Sequence, residues 1–293
     1  MNTLHLTYAV EVARCGSITR AAEKLYMAQP NLSKALHELE EQMGFAIFRR
    51  TSRGVTPTPR GQEFLDCARG LLAQLRSMER LSARSDDAMQ RFSLSMAGAG
   101  YLRQAMARWT ASLDPSAPLD VSVREGGDLD AVQDVAEGLA LLGVARYAAT
   151  EEDAFFALLR QQSLESQPLA AFEALATFSA ASPLAQQDSV SRDELRSLTA
   201  LSPAPLPAGE GEAPRRLCLR GQLNCLELLS GMPEAFLWAP PEPDETLRRY
   251  GLVQRRCAQG GPRFCDALVF PRGHGFSQLE QRFIALAQES AGG

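Results

Sequence analysis

Hydrogen-bonding side chains cluster in the segment AQPNLSKALHELE, residues 28–40. The amides of Gln and Asn can pair bidentately with adenine, and the ammonium group of Lys can reach guanine acceptors or phosphate oxygens. The first two turns of this segment contain the polar residues Gln29, Asn31, Ser33, Lys34 and His37. Residues of these types, presented on one face of a helix, are suited to contact base edges.

The apolar residues of the same segment predict the helix that presents those side chains. One helical face carries Leu32, Ala35, Leu36, Leu39 and Met43, and Gly44 is suited to the position after the helix end. Glu38, Glu40 and Glu41 would be repelled by phosphates, so we expect these three carboxylates to point away from nucleic acid.

Two shorter helices are predicted before this segment. Residues 4–14 carry apolar residues at helical spacing, and Gly16 ends that helix. Ser17 can cap the next helix, whose buried face would consist of Ile18, Ala21, Ala22 and Leu25.

An arginine-bearing β-hairpin is predicted over residues 45–58, with Ser52, Arg53 and Gly54 as its turn. Arg49 and Arg50 are placed to contact phosphates, and Arg53 lies at the tip. Three helices followed by a hairpin are the plan of a winged helix-turn-helix, in which the start of the recognition helix meets base edges.

A long helix follows the hairpin, with Thr58 as its cap and Pro59 at its first position, and extends to about residue 84. It contains a seam with the spacing of a heptad repeat: Phe64, Ala68, Leu71, Leu75 and Met78. Such a seam favours pairing with another helix. The alternative is that the helix packs on its own domain.

The remaining chain alternates between strand and helix patterns. Strands are predicted over 91–97, 119–127, 143–146, 172–180, 198–203, 234–241 and 265–270, and helices over 101–113, 129–142 and 277–289. This alternation favours a parallel α/β sheet. Residues 202–216 are rich in Pro and Gly, which indicates an exposed loop.

Charge is divided unevenly along the 293 residues. Residues 1–65 hold eight Lys and Arg against six Asp and Glu, and residues 66–293 hold 22 against 29. A basic segment on an acidic body favours contact with a polyanion at one end, with a chance cluster on a solvated face as the alternative.

Several classes of protein and site are disfavoured by the sequence. Three distant histidines and six scattered cysteines without CxxC make a metal site improbable. The N-terminus lacks the basic start of a signal peptide, and no run of 18 apolar residues occurs, so we expect a cytoplasmic protein. GxSxG and P-loop patterns are absent, which argues against an enzyme.

Residues 1–65 resemble the DNA-binding domain of LysR-type transcriptional regulators. The resemblance rests on LTYAVEVARCGS, GSITRAAEKL, AQPNLSKALHELEEQMG and FRRTSRGVTPTPRGQEFL, in that order. It implies an α+β winged helix-turn-helix domain over 1–58, a linker and dimerisation helix over 59–88, and a two-lobed α/β effector domain, similar to periplasmic binding proteins, over 89–293.

The resemblance implies sequence-specific regulation of transcription from a double-stranded DNA operator. The partners would be a second copy of the chain, as a homodimer or homotetramer, and a small-molecule effector, with RNA polymerase as a further candidate. No cofactor and no membrane are implied. Contacts to DNA are expected from Ser17, Thr19, Gln29, Pro30, Asn31, Ser33, Lys34, His37, Arg49, Arg50 and Arg53.

The effector would bind in a cleft between lobe I, about 91–160 with 265–293, and lobe II, about 161–264. Loops after strands line such clefts in open α/β sheets. The candidate residues are Ala97, Gly98, Ala99, Gly100, Tyr101, Glu125, Gly126, Gly127, Arg146 and Ser202.

The sequence departs from the family pattern at identifiable places. Ala28 stands where relatives usually have Ser, and the loss of that cap should cost about 0.5–2 kcal/mol. Lys34 stands where Arg is commoner, and Pro57 replaces the usual Leu. The loop Gly98–Gly100 has no hydroxyl where many relatives hold an effector carboxylate.

Two other functions compete with this prediction. Cys218 and Cys225 resemble the two-cysteine segment of peroxide-sensing members of the family, and Arg215, Arg216 and Arg220 would lower the pKa of these thiols. A pair of ordinary thiols is favoured instead, because disulfides are rare in the cytosol. A general nucleoid-binding protein would not need the long α/β part of the chain.

Overall fold

The structure is a computed structural model that describes residues 2–51, 54–82, 89–203, 215–219 and 221–291. For residues 50, 51, 73, 74 and 76–82 it describes the backbone alone. The chain divides into two compact units, the first with the N-terminal helices and the second with two larger sheets. Within the described ranges, no helix combines the length and the apolar character needed to cross a membrane.

The first unit begins with the three predicted helices: α1 (Thr3–Cys15), α2 (Ile18–Lys24) and α3 (Gln29–Met43). Gly16 ends α1 in the left-handed conformation, and Ser17 Oγ caps α2 by accepting from Arg20 N at 3.4 Å. The apolar faces meet in one core, which includes Leu6, Ala9, Val12, Ala21, Ala22, Leu32, Leu36 and Leu39.

The predicted hairpin consists of β1 (Phe48–Thr51) and β2 (Gly54–Pro57), which pair antiparallel. Glu40 of α3 fixes its start, because its Oε1 accepts from Ile47 N at 2.7 Å and from Phe48 N at 2.9 Å. Gly54 has φ 127°, and a Cβ there would collide with the carbonyl of Gly16. The hairpin can therefore approach the end of α1 only with glycine at this position.

Helix α4 (Pro59–Ser82) begins as predicted, with Thr58 Oγ1 accepting from Gly61 N at 2.9 Å. The predicted seam is wrong in its first half, because Phe64 and Ala68 are buried in the core of the first unit. Leu71 is 44% exposed and remains available for pairing. The side chain of Met78 lies outside the described part of the chain.

The first sheet of the second unit has five strands in the order β4-β3-β5-β13-β6. They are β3 (Gln90–Ala97), β4 (Leu119–Gly126), β5 (Leu142–Ala148), β6 (Leu164–Glu173) and β13 (Arg263–Pro271). Strand β3 is parallel to β4 and β5, whereas β13 is antiparallel to β5 and β6. The predicted parallel sheet is therefore confirmed for β3, β4 and β5, and the addition of β13 and β6 makes the sheet mixed.

Four helices accompany this sheet: α5 (Gly100–Ala111), α6 (Asp130–Ala136), α7 (Glu152–Gln161) and α11 (Gln278–Ala291). Trp109 and Phe283, on α5 and α11, pack against Phe92 of β3 in the core. Helix α6 is shorter than predicted: Gly138 has φ 68°, and Leu142 already begins β5.

The second sheet has the order β10-β9-β11-β7-β12-β8. Its strands are β7 (Leu175–Ser179), β8 (Ser189–Val190), β9 (Thr199–Ser202), β10 (Arg215–Cys218), β11 (Ala235–Ala239) and β12 (Leu252–Cys257). Its helices are α8 (Arg192–Arg196), α9 (Gln222–Ser230) and α10 (Asp244–Tyr250). Two buried apolar clusters, around Phe178 and around Leu226, form its core.

We call the first sheet with its helices lobe I and the second lobe II. The predicted lobe boundary at residue 161 is wrong, because β6 pairs with β13 along its whole length and belongs to lobe I. No strand was predicted over 164–171, and the predicted strand 172–180 is divided between the end of β6 and β7. Pro168 is tolerated because β6 is an edge strand and the register shifts at Ala267, its partner.

Candidate functional site

The polar face of α3 is exposed in the first unit. Leu32, Leu36 and Leu39 are buried on the other side of the helix. Ser33 is half-buried, and the remaining predicted contacts on α3 are exposed: Gln29, Pro30, Asn31, Lys34 and His37. The face that the sequence assigned to recognition is thus open to a partner.

Ala28 precedes α3 in an extended conformation, and its side chain makes no capping hydrogen bond. The first amides of α3 therefore need hydrogen-bond acceptors from the backbone, solvent or a partner. Asn31 N, for example, donates to the backbone oxygen of Ala28 at 3.0 Å. A phosphate at this end would complete the helix start and would be favoured by the helix dipole.

The expectation that the three glutamates of α3 point away from nucleic acid stays a prediction, and among them Glu40 has its carboxylate against the hairpin. Glu38 Oε1 lies 3.9 Å from Lys34 Nζ, and Glu41 Oε1 lies 3.4 Å from His37 Nε2. These pairs span one helical turn, so the carboxylates share a face with the predicted contacts. A phosphate that approaches Lys34 also approaches Glu38.

The remaining predicted contacts lie on α2 and the hairpin. Thr19 is exposed, whereas Ser17 is half-buried and its hydroxyl caps α2. Arg49 is exposed on β1 and donates from Nε to Thr56 Oγ1 at 3.2 Å. Arg53 and the side chain of Arg50 lie outside the described residues.

The predicted first effector loop is closed by lobe II. Residues 97–100 are buried, and a Cβ at Gly98 would collide with the side chain of Gln222. A Cβ at Gly100 would collide with Pro243 and Glu242. Glycine is therefore required here because another part of the same chain, and not a ligand, occupies the space in front of α5.

A carboxylate of the protein itself stands at the start of α5. Glu242 of lobe II accepts from Arg103 Nη2 at 2.8 and 3.0 Å, from Gln222 Nε2 at 2.8 Å, and from the backbone of Gly100. Burial raises the pKa of Glu242, and Arg103 offsets part of that effect. Glu125 adds a second link between the lobes, because its Oε1 accepts from Gln222 N at 2.9 Å.

Arg146 is buried, and three of its five guanidinium N–H groups donate to acceptors in lobe I. Nε and Nη2 donate to the two carboxylate oxygens of Asp266 at 2.8 and 2.9 Å, and Nη1 donates to Gly98 O at 3.0 Å. Burial alone would lower the pKa of Arg146, but the charge and hydrogen bonds of Asp266 reverse this and raise it. Tyr101 donates to Asp266 as well, at 2.8 Å.

A cavity of about 890 Å³ lies between the lobes. Of the predicted effector residues, Gly127, Arg146 and Ser202 line it, whereas Ala97–Tyr101, Glu125 and Gly126 do not. The prediction from the sequence missed the aromatic lining: Tyr147, Phe155, Phe172, Phe236, Trp238 and Phe264. Phe172 begins the strand predicted over 172–180, but its place at the end of β6 in the cavity wall has no sequence signal.

The cavity wall has two half-buried carboxylates, Asp130 and Asp128. The backbone carbonyl of Asp128 accepts from Arg146 N at 2.8 Å, and the charge of Arg146 acts on the Asp128 carboxyl. Burial raises the pKa of the Asp128 carboxyl, and Asp266 adds to this, although Arg146 opposes it. The sequence offered no signal for Asp128, because acidic residues in loops are common and usually solvated.

The cysteine pair has no sign of an activated thiol at Cys225. Cys225 is buried, and burial raises the pKa of its thiol to about 11, opposite to the lowering that the nearby arginines were expected to cause. Cys218 is exposed, and both thiols are free. Arg220 lies outside the described residues. In the described part of the chain, no three His, Cys, Asp or Glu side chains cluster to hold a metal ion.

Comparison with known proteins matches residues 4–62 to the family described as bacterial regulatory helix-turn-helix protein, lysR family. The uncharacterized HTH-type transcriptional regulator YcgK of Bacillus subtilis is 42% identical over 67 residues, 23% of this chain and 21% of that protein. BenM of Acinetobacter baylyi, an HTH-type transcriptional regulator, is 40% identical over 84 residues, 29% of this chain and 28% of BenM. The matched segments thus span less than a third of these relatives.

Solved structures match the whole chain at low sequence identity. A full-length OxyR from Pseudomonas aeruginosa has a TM-score of 0.55 and 18% identity, and covers 99% of this chain and 97% of its own. CbnR, a LysR family transcriptional regulator, has the same TM-score and identity and covers 99% of both chains. These structures share the winged helix-turn-helix domain followed by a two-lobed α/β domain. Residues 4–62 thus match the helix-turn-helix of the lysR family, and the chain as a whole has the fold of these solved regulators.

Proposed function

We propose that this protein is a DNA-binding transcriptional regulator that reads a double-stranded operator with α3. The observation that carries the proposal is the exposed polar face Gln29–His37 on the second helix of the helix-turn-helix, beside the hairpin with Arg49. Base-edge contacts would come from Gln29, Asn31, Ser33 and Lys34, whereas Arg49, Arg50 and Arg53 would neutralise phosphates. Ser17, Thr19, Pro30 and His37 would lie along the same interface.

The regulator would act in the cytoplasm as a homodimer or homotetramer. We propose residues 1–58 as the DNA-binding domain, 59–88 as the linker and dimerisation helix, and 89–293 as the regulatory domain. A small molecule in the inter-lobe cavity would control it, with RNA polymerase as a further partner. The family match covers residues 4–62, which supports the DNA-binding role more directly than the regulatory role.

Substitution of Gln29 tests the proposal. Duplexes bound by the full chain are first selected from a random pool, and fluorescence anisotropy then measures the Kd for a selected and for a scrambled duplex. Gln29→Ala should weaken binding to the selected duplex by about 1–3 kcal/mol and leave the scrambled duplex almost unaffected. Gln42→Ala, an exposed glutamine near the end of the same helix, is the matched control. An equal loss of affinity for both duplexes would show that Gln29 does not contact bases specifically.

Thiol-based regulation through Cys218 and Cys225 is the alternative. It requires a thiol with a lowered pKa and a reachable partner, and the raised pKa of Cys225 weighs against it. Free-thiol titration of the full chain before and after low peroxide distinguishes the two. Loss of two thiols that is abolished in Cys225→Ser would favour redox control, whereas six free thiols after peroxide would exclude it.

A further inference from the structure

The inter-lobe cavity also indicates the chemistry of the ligand, an inference that rests on the proposed ligand control. Its volume of about 890 Å³ is within the usual range for small-molecule sites. Tyr147 and Phe155 stack at a ring-centroid distance of 4.2 Å on the lobe I side, and Phe236 and Trp238 pack edge-on at 5.8 Å on the lobe II side. Aromatic walls of this kind favour an apolar ligand with a ring system.

Two positions at which a ligand carboxylate would be stabilised already hold carboxylates of the protein. Glu242 receives the hydrogen bonds of Arg103 and of the α5 backbone, and its side chain is fully buried. Asp266, equally buried, takes two of the three hydrogen bonds of Arg146. An anion that took either position would displace a buried ion pair, which is costly because the freed carboxylate stays desolvated.

Two arginines of α8, on the lobe II side, do not provide an alternative site for a ligand carboxylate. Arg192 and Arg196 line the cavity but are exposed, and water screens such charges strongly. Arg196 pairs with Asp193 at 3.0 Å, and Arg192 donates to Gly260 O at 3.2 Å. Both cations therefore act weakly on a ligand held between the aromatic walls.

Of the three carboxylates that line the cavity, Glu151 is exposed and Asp130 accepts from Gly127 N at 2.9 Å, so Asp128 is the half-buried carboxylate that remains for a ligand. It feels the charges of Arg146, Asp266 and Asp130 but receives no hydrogen bond from the described residues. A desolvated carboxylate that accepts no hydrogen bond is stabilised when a cationic hydrogen-bond donor approaches it. Burial raises the pKa of Asp128, in accord with this incomplete solvation.

We propose that the cavity binds an apolar, ring-bearing amine whose cationic nitrogen pairs with Asp128, and that it discriminates against aromatic carboxylates of similar size. The rings lie between the aromatic walls of the two lobes, and the ammonium group replaces the water that Asp128 has lost. Specificity against anions comes from the carboxylates of Glu242 and Asp266, which occupy the positions where an anion would be stabilised.

Three probes with one ring system test the proposal: tryptamine, tryptophol and indoleacetate. Isothermal titration of each into the full chain measures their Kd values. Tryptamine should bind about tenfold more tightly than tryptophol, and indoleacetate should bind most weakly. Indoleacetate binding as tightly as tryptamine, or no binding of tryptamine at millimolar concentration, would overturn the proposal. This comparison uses the unaltered chain, so it does not depend on the folding of a variant.

Asp128→Asn then tests the pairing residue. The preference for tryptamine over tryptophol should fall to about twofold or less, while the Kd of tryptophol stays unchanged and reports an intact cavity. A tenfold preference that survives in this variant would overturn the role of Asp128. Anisotropy with the selected duplex is recorded separately. Tryptamine that binds without changing DNA affinity would leave this inference standing and would refute ligand control of DNA binding.

Discussion

The carboxylate of Glu242 in lobe II accepts two hydrogen bonds from Nη2 of Arg103 in lobe I, at 2.8 and 3.0 Å. The Glu242 side chain is fully buried and the Arg103 side chain is 20% exposed, so the pair is largely withdrawn from water. The Nη1 atom of Arg103 is buried without a hydrogen-bond partner in the described residues and lies 3.9 Å from Glu125 Oε2. The contact therefore joins the lobes at the start of α5.

Removal of Glu242 should destabilise the second unit. In Glu242→Ala, Arg103 keeps a buried positive charge without its partner, so the free energy of unfolding should fall by about 3 kcal/mol. Urea denaturation monitored by fluorescence measures this, because both tryptophans, Trp109 and Trp238, belong to the second unit. Glu245→Ala, whose side chain is 81% exposed, is the control and should change it by less than about 0.5 kcal/mol. Equal effects of the two substitutions would contradict a structural role for the inter-lobe pair.

Removal of an acidic side chain beside Lys34 should strengthen DNA binding. Glu38→Gln breaks an exposed pair worth about 0.2–1 kcal/mol and removes a charge that phosphates would repel. The affinity for selected and scrambled duplexes should rise by about two- to fivefold, measured by anisotropy at fixed salt. Glu227→Gln makes the same charge change on α9 in the second unit and should have almost no effect. A rise of the same size with Glu227→Gln would show that net charge, and not the α3 surface, is responsible.

Substitutions at two adjacent leucines of α4 distinguish the pairing of α4 with a second copy from the folding of the first unit. Leu71 is 44% exposed, so Leu71→Asp should leave the first unit folded but halve the mass seen in sedimentation, if α4 pairs with a second copy. Leu72 is 9% exposed and packs in the core of the first unit, so Leu72→Asp should unfold that unit and reduce the helical circular dichroism. Dimers that persist in Leu71→Asp would exclude α4 as the dimer contact.

Glu280 should make the stability of lobe I depend on pH. Burial would raise the pKa of Glu280, but hydrogen bonds from His274 and Ser277 outweigh it and lower the pKa below 4.5. Because the folded pKa is the lower one, its stabilisation is present above about pH 4.5 and disappears as the pH falls through the folded value. Glu280→Gln should therefore lose about 1–3 kcal/mol at neutral pH.

The difference in the free energy of unfolding between wild type and Glu280→Gln should shrink as the pH is lowered below the ordinary glutamate pKa. Thermal unfolding at several pH values measures this difference. Glu289→Gln, whose side chain is 62% exposed on the same helix α11, should show a small difference that does not follow this pH course. A constant difference between wild type and Glu280→Gln at every pH would contradict the sign of the shift.

The sequence by itself determined the first unit almost completely. Its helices, caps and hairpin are local structures, since Gly16, Ser17, Thr58 and Pro59 act on neighbours a few residues away. The family resemblance also lies there, because the recognition residues follow one another on a single helix. The sequence further indicated two α/β lobes, as the alternation of strand and helix patterns is visible over short windows.

Tertiary structure alone decided what fills the cleft. Glu242 reaches Arg103 across 139 positions and Arg146 reaches Asp266 across 120, and no periodicity links residues so far apart. The sequence placed a ligand at the Gly98–Gly100 loop, where the folded chain places its own Gln222 and Glu242. Pairing of β6 with β13 brought Phe172 into the cavity wall as well. Local propensities specify helices and strands. The buried charges and the shape of the cavity between the lobes depend on contacts that exist only once both lobes have folded.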